Sequence, residues 1–141
     1  MQLKRKLGLT LYLIGFLVLL VGCGGKINYQ GEWYGALPNN EEVKITISKD
    51  TYTIQGDTEE KKSVLAYQQT GQGFENKTRY VLLKIKGEAY TLSFPTGKEA
   101  DGAVLIKTSD KDEPLYGNAV HVMSREDYPD YQEYIDTYLE Q

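Results

Sequence analysis

Apolar and polar residues alternate with a period of two over most of the chain after residue 30, a pattern typical of strands that bury one face. Val43, Ile45 and Ile47 are separated by polar residues, and the alternation resumes at Tyr52 after a polar pair at 49–50. Because a short polar turn between two alternating runs joins antiparallel strands, this part of the chain predicts a β-hairpin.

Further segments rich in β-forming residues follow at intervals of about ten residues, at 63–70, 78–86, 89–94, 103–108 and 115–123. The glycines of 71–73 are predicted to end the first of these strands, Lys86-Gly87 to form a tight turn, and Gly117-Asn118 to form a bulge. The short connections favour antiparallel pairing over a parallel α/β sheet. The prediction is a mainly β fold, a small antiparallel meander barrel of seven or eight strands, with a sandwich as the alternative.

The period changes after residue 123, where a C-terminal amphipathic helix is predicted over 129–140. Residues 124–127 have a capping-type spacing, and Pro129 suits the first turn of a helix. The apolar stripe consists of Tyr131, Tyr134, Ile135, Tyr138 and Leu139. The stripe is interpreted as the face that packs on the outside of the barrel; the alternative is an aromatic platform for a partner or a sugar.

The N-terminus has the features of a bacterial export signal. Three basic residues at 4–6 precede an apolar run at 7–21, which is shorter than the ~20 residues of a spanning helix. The sequence Leu20-Val21-Gly22-Cys23 then resembles the lipobox of bacterial lipoproteins. The resemblance implies cleavage before Cys23 and a diacylglyceryl group on its sulfur. An uncleaved signal anchor with an ordinary buried cysteine is the alternative.

This resemblance sets the predicted domain organisation. Residues 1–22 form the signal peptide, 23–30 the lipidated cysteine and a flexible tether, and 31–141 the β-barrel-like domain with its C-terminal helix. The expected location is the extracytoplasmic face of the cell membrane, with the lipid on Cys23 as the membrane contact. As a whole, the chain resembles small lipoproteins of Gram-positive bacteria.

Charge and composition narrow the possible partners. The chain of 141 residues has a net charge of −4, and losing the three bases of the signal peptide would change this to −7. Such a balance argues against nucleic acid or an anionic lipid surface as a partner. One Cys and one His exclude a disulfide framework and the common zinc sets. No cofactor and no metal are expected.

A second resemblance concerns the first strand. Gly31-Glu32-Trp33-Tyr34 matches the Gly-x-Trp-Tyr element that opens the first strand of lipocalins and other calycins. The resemblance implies a barrel whose Trp33 closes one end, with Arg125 packed across the indole as the basic partner after the last strand. The Thr-Asp-Tyr turn of that family has no counterpart in this chain.

The predicted function is binding without catalysis. A small apolar or amphipathic ligand is expected inside the barrel, lined by one strand phase: Tyr52, Ile54, Tyr80, Leu82, Tyr90 and Leu92. The alternative is an envelope module that binds a protein or polysaccharide through its surface. His121 is the only candidate base for an enzyme and is expected on the opposite face from Val120 and Val122. The acidic run at 110–113 lacks EF-hand spacing and is interpreted as a solvated turn.

Overall fold

A computed structural model describes residues 27–97 and 101–139. The predicted signal peptide and Cys23 lie outside the described residues. Eight antiparallel strands form one closed barrel in chain order, with β8 pairing back to β1. The strands are β1 (Gly31–Ala36), β2 (Glu42–Ile47), β3 (Thr51–Gln55), β4 (Lys62–Glu75), β5 (Thr78–Ile85), β6 (Glu88–Phe94), β7 (Ala103–Thr108) and β8 (Gly117–Ser124). The predicted mainly β barrel is confirmed, and the sandwich is excluded.

The longest strand, β4, corrects the prediction that the glycines of 71–73 end it. The strand continues to Glu75, and a β-bulge lies between Gln69 and Gly71. Gly73 pairs with Tyr80 of β5, and a Cβ on Gly73 would lie 2.3 Å from the Tyr80 hydroxyl oxygen. Because the ring packs over the bare glycine backbone, the strand survives a residue that would otherwise weaken it.

The predicted bulge in β8 occurs at a different place. Leu105 pairs with His121 while the adjacent Ile106 pairs with Ala119, so the extra residue is Val120 rather than Gly117 or Asn118. A bulge shifts the inward and outward phases of its strand. Val120 therefore packs against the interior cluster, on the same side as His121 and not opposite to it.

One helix, α1 (Tyr131–Tyr138), packs on the outside of the barrel and is shorter than the predicted 129–140. Its N-cap is Asp130, which accepts a hydrogen bond from the backbone N–H of Glu133, rather than a residue of 124–127. Ile135 is the buried residue of the helix and belongs to an outer cluster with Ala36, Val104, Ile106 and Val122. Among the described residues, no helix has the length and hydropathy required to cross a bilayer.

The segment before β1 is part of the barrel core, which corrects the predicted flexible tether over its last four residues. Ile27 and Tyr29 are only 3% and 4% exposed and join the interior cluster. The Tyr29 hydroxyl donates to Oε1 of Gln69 on β4 at 2.8 Å. The segment 27–30 therefore packs across the end of the barrel at which β1 begins.

Candidate functional site

The six predicted lining residues do not share one face. Tyr52, Ile54, Tyr90 and Leu92 belong to, or pack against, the interior cluster, as predicted. Tyr80 and Leu82 point outward, and this part of the prediction is wrong. In β5 the inward residues are Val81, Leu83 and Ile85. Leu82 lies over Gly71 on the outer face, as Tyr80 does over Gly73.

Large side chains occupy the barrel interior. The interior cluster contains Trp33, Ile45, Ile47, Tyr52, Leu83, Leu92, Phe94 and Met123, each 1% exposed or less. Two described cavities lie elsewhere, one on the outer face and one of about 260 Å³ beside residues 27–30. The geometry therefore places accessible space outside the barrel.

His121 is buried in the interior, where it forms a hydrogen-bonded chain with two neighbours. Its Nε2 lies 2.6 Å from the Tyr52 hydroxyl oxygen, which in turn lies 3.8 Å from Sδ of Met123. Desolvation lowers the pKa of His121 to about 4 and raises that of Tyr52, so both groups are neutral at pH 7.

The proton of the neutral imidazole is assigned to Nε2 from these contacts. Nδ1 has no hydrogen-bond partner among the described residues. A proton there would be a buried orphan donor, which is rarer in proteins than an unsatisfied acceptor. With the proton on Nε2, the ring donates to Tyr52, Tyr52 donates to Met123, and only a lone pair is unpaired. The site is a buried core network in which both donors have an acceptor and Nδ1 of His121 has no partner among the described residues.

Trp33 and Arg125 form the predicted pair. The Arg125 guanidinium carbon lies 3.9 Å from the centroid of the Trp33 ring, close enough for a cation–π contact. Arg125 also donates to the backbone carbonyls of Asn28, Gln30 and Glu32 at 2.9–3.3 Å. Since these carbonyls belong to the segment before β1 and to β1 itself, Arg125 ties β8 to the N-terminal end of the barrel.

The larger cavity, termed the outer groove, lies on the outer face and has a volume of about 710 Å³. It is lined by Asn76, Lys77, Thr78, Ser93, Pro95, Ile106, Leu115, Tyr116, Gly117, Tyr138 and Leu139. Strands β5, β6 and β7 contribute Thr78, Ser93 and Ile106. The loop before β8 contributes Leu115 and Tyr116, and the end of α1 contributes Tyr138 and Leu139. Three large exposed side chains therefore line the same groove: Tyr116, Tyr138 and Leu139.

A polar group without a partner lies in this groove. Ser93 is 1% exposed, and its Oγ has no hydrogen-bond partner among the described residues. The nearby Thr91 hydroxyl, by contrast, is paired with that of Thr108 at 2.8 Å. A buried hydroxyl without a partner costs about 1–3 kcal/mol. The groove thus combines apolar side chains with polar ones, among them Asn76, Lys77 and the unpartnered Ser93 hydroxyl, a composition suited to an amphipathic ligand.

Sequence reasoning missed the outer groove, although one signal pointed to it. Ala103–Ile106 in β7 are four consecutive buried residues, because one phase faces the interior and the other lies under α1 and the groove rim. A strand without alternation indicates burial on both faces. That signal predicts a covered outer face, but not where the cover ends.

The acidic run of the β7–β8 loop is an exposed turn in which Asp110 accepts a hydrogen bond from the backbone N–H of Asp112. Within residues 27–97 and 101–139, no three acidic, histidine or cysteine side chains come together as metal ligands would.

Family models, curated proteins and solved structures provide no match to this chain.

Proposed function

We propose that this protein is a lipid-anchored extracytoplasmic domain that binds an amphipathic ligand in the outer groove, without catalysis. The observation that carries the ligand part is the groove itself, whose lining is part apolar and part polar and includes the unpartnered Ser93 hydroxyl. Its volume of about 710 Å³ lies within the range of small-molecule sites, roughly 300–1,000 Å³. The barrel interior, filled by its own aromatic and aliphatic side chains, supports this choice over an internal site.

The anchor rests on the N-terminal sequence. A basic segment, an apolar run too short to span a bilayer, and Leu20-Val21-Gly22-Cys23 follow one another as in lipoproteins. Two or more acyl chains on Cys23 would hold the domain stably at the membrane, since each buried methylene contributes about 0.8 kcal/mol. Mass spectrometry of the protein extracted from bacterial membranes should find residue 23 at the N-terminus, carrying lipid. An unmodified Cys23 would contradict the anchor.

Native mass spectrometry tests the ligand proposal. The secreted domain of residues 24–141 is expected to retain a small-molecule mass that is lost on denaturation. Tyr116→Ala removes an exposed groove side chain and should reduce the retained fraction. Val64→Ala is the matched control, because Val64 is also exposed and does not line the groove. Equal retention by both variants would place the ligand elsewhere.

A second candidate function is docking of an envelope protein or polysaccharide on the same surface. The exposure of Tyr116, 62%, and of the neighbouring Tyr138 ring favours it, since aromatic side chains are enriched at binding surfaces. A ligand-free mass, together with loss of cross-linking to envelope material in Tyr116→Ala but not in Val64→Ala, would favour this function over the small ligand.

A further inference from the structure

The hairpin between β4 and β5 ends in an exposed aromatic side chain. The two turn residues Asn76 and Lys77 have φ values of +51° and +63°, as a type I′ turn requires. Phe74, directly before the turn region, is 67% exposed, the largest exposed fraction of any large hydrophobic side chain described. An aromatic ring at a projecting tip contributes nothing to the barrel core.

The tip lies at the end of the barrel where the anchor would attach. Strands alternate in direction around the barrel, so the β4–β5 turn and the start of β1 share one end. β3 pairs with β4 only up to Ala66, so the hairpin extends well beyond β3. On the other side, Phe74 is level with the end of β6 through Arg79, and the turn residues 75–78 lie beyond the paired part of β6. The hairpin therefore projects outward from the end that residues 27–30 cover.

Distances along the chain make contact between the tip and a bilayer geometrically possible. Tyr29 bonds Gln69, and Phe74 is five residues further along β4, about 16 Å at the usual strand rise of ~3.3 Å per residue. Cys23 is four residues before the buried Ile27, so a lipid on its sulfur stays within about 14 Å of Ile27 along the backbone. The tip and the anchor can thus reach the same membrane surface.

We infer that the β4–β5 hairpin inserts Phe74 into the bilayer interface and orients the barrel with this end toward the membrane. The inference rests on the proposed lipid anchor at Cys23. Contact through an apolar ring suits a domain whose acidic balance disfavours electrostatic adsorption. Lys77 in the turn can keep its ammonium group at headgroup level while its alkyl stem lies against the bilayer. The outer groove, which Asn76 and Lys77 also line, would then open close to the membrane surface.

Tryptophan fluorescence of the full-length protein tests this orientation. Phe74→Trp and Val64→Trp place a reporter near opposite ends of β4, both at exposed positions and neither in the lining of the outer groove, whereas the native Trp33 is buried in both variants. Each protein is extracted from bacterial membranes and reconstituted into phosphatidylcholine vesicles with and without brominated acyl chains. The Phe74→Trp emission should shift to shorter wavelength on reconstitution and be quenched by the brominated lipid. The Val64→Trp emission should do neither.

The outcomes separate the inference from the anchor. If Cys23 carries lipid and Phe74→Trp behaves like Val64→Trp, the inference is wrong and the anchor stands. If the purified protein carries no lipid on Cys23, the anchor and the orientation that rests on it are both wrong. Lipidated protein with selective quenching at position 74 supports both.

Discussion

The buried His121 should make the stability of the domain depend on pH in a defined window. Burial lowers the native pKa to about 4, whereas an exposed histidine in the unfolded chain titrates near 6.5. Between these values the unfolded chain binds a proton that the native protein does not. Acidification therefore stabilises the unfolded state, and the contribution of the neutral ring is complete above pH 6.5 and lost progressively toward pH 4.

The size of the effect follows from the two pKa values. A pKa difference of this size corresponds to about 3 kcal/mol at the acidic limit, at ~1.4 kcal/mol per unit. At pH 5 the unfolded histidine is largely protonated and the native one largely neutral, so the free energy of unfolding should be about 2 kcal/mol lower than at pH 7. The direction is set by the burial of His121 and the absence of an acidic partner near it in the described chain: its ring contacts Tyr52.

Urea unfolding of residues 24–141 at pH 7 and pH 5, at constant ionic strength, measures this loss. His121→Leu removes the titrating group while leaving Tyr52 able to donate to Met123, so its loss between the two pH values should be about 2 kcal/mol smaller than that of the parent. Tyr52→Phe keeps the histidine and should keep the pH dependence, although its overall stability falls. An identical pH dependence in the parent and His121→Leu would refute the burial argument.

Three further predictions concern the barrel and its helix. Arg125→Ala should lower the free energy of unfolding by about 2 kcal/mol, since it removes the stack on Trp33 and three bonds to carbonyls; Arg125→Lys should recover less than half of this in the same urea assay. Gly117→Ala places a Cβ 2.0 Å from a backbone oxygen, whereas the Cβ of Gly87→Ala meets nothing within 4 Å. Gly117→Ala should therefore lower the free energy of unfolding by more than Gly87→Ala, which should lower it by about 1 kcal/mol. Equal shifts in Tm for the two variants would contradict this. Asp130→Ala should cost about 1 kcal/mol as a lost N-cap, seen as lower unfolding free energy, with Asp130→Asn close to the parent.

The architecture could be predicted because local signals agreed with one another. Strict alternation in β2 and β3, a turn at Lys86-Gly87 and short connections throughout admit few arrangements besides an antiparallel meander. The pairing of Trp33 with Arg125 was expected from the resemblance to calycins, and in the structure β1 pairs with β8 and the guanidinium lies over the indole.

The phase of β5 could not be predicted from its own residues. Tyr80, Val81, Leu82 and Leu83 form an apolar run in which both phases look equally suited to the interior. The phase of β5 is set by Gly71 and Gly73 on the facing strand β4. Their bare backbone leaves room for Tyr80 and Leu82 on the outer face. Gly71 and Gly73, which were expected to end the strand, therefore make room for side chains of the neighbouring strand. This role depends on the partner strand and not on the local sequence.

The burial of residues 27–30 could not be predicted for a different reason. Its alternation of Ile27 and Tyr29 with polar residues is too short to stand out beside the glycines that precede it. Burial of both side chains, and the bonds from Arg125 to this segment, became visible only in the closed barrel. The domain thus begins four residues earlier than predicted, which places the proposed anchor closer to its rim.

Two buried polar side chains show why the outer face, and not the interior, is the better place to look for a ligand. In the interior, His121 donates to Tyr52, and Tyr52 donates to Met123, so both of these buried donors have an acceptor. Within residues 27–97 and 101–139, the Ser93 hydroxyl on the outer face has none, although its neighbour Thr91 is paired. A hydroxyl buried without a partner destabilises the fold by about 1–3 kcal/mol unless something outside the chain bonds it. The ligand that we propose for the outer groove would supply this bond, and Tyr138 at the end of α1 lines the same groove.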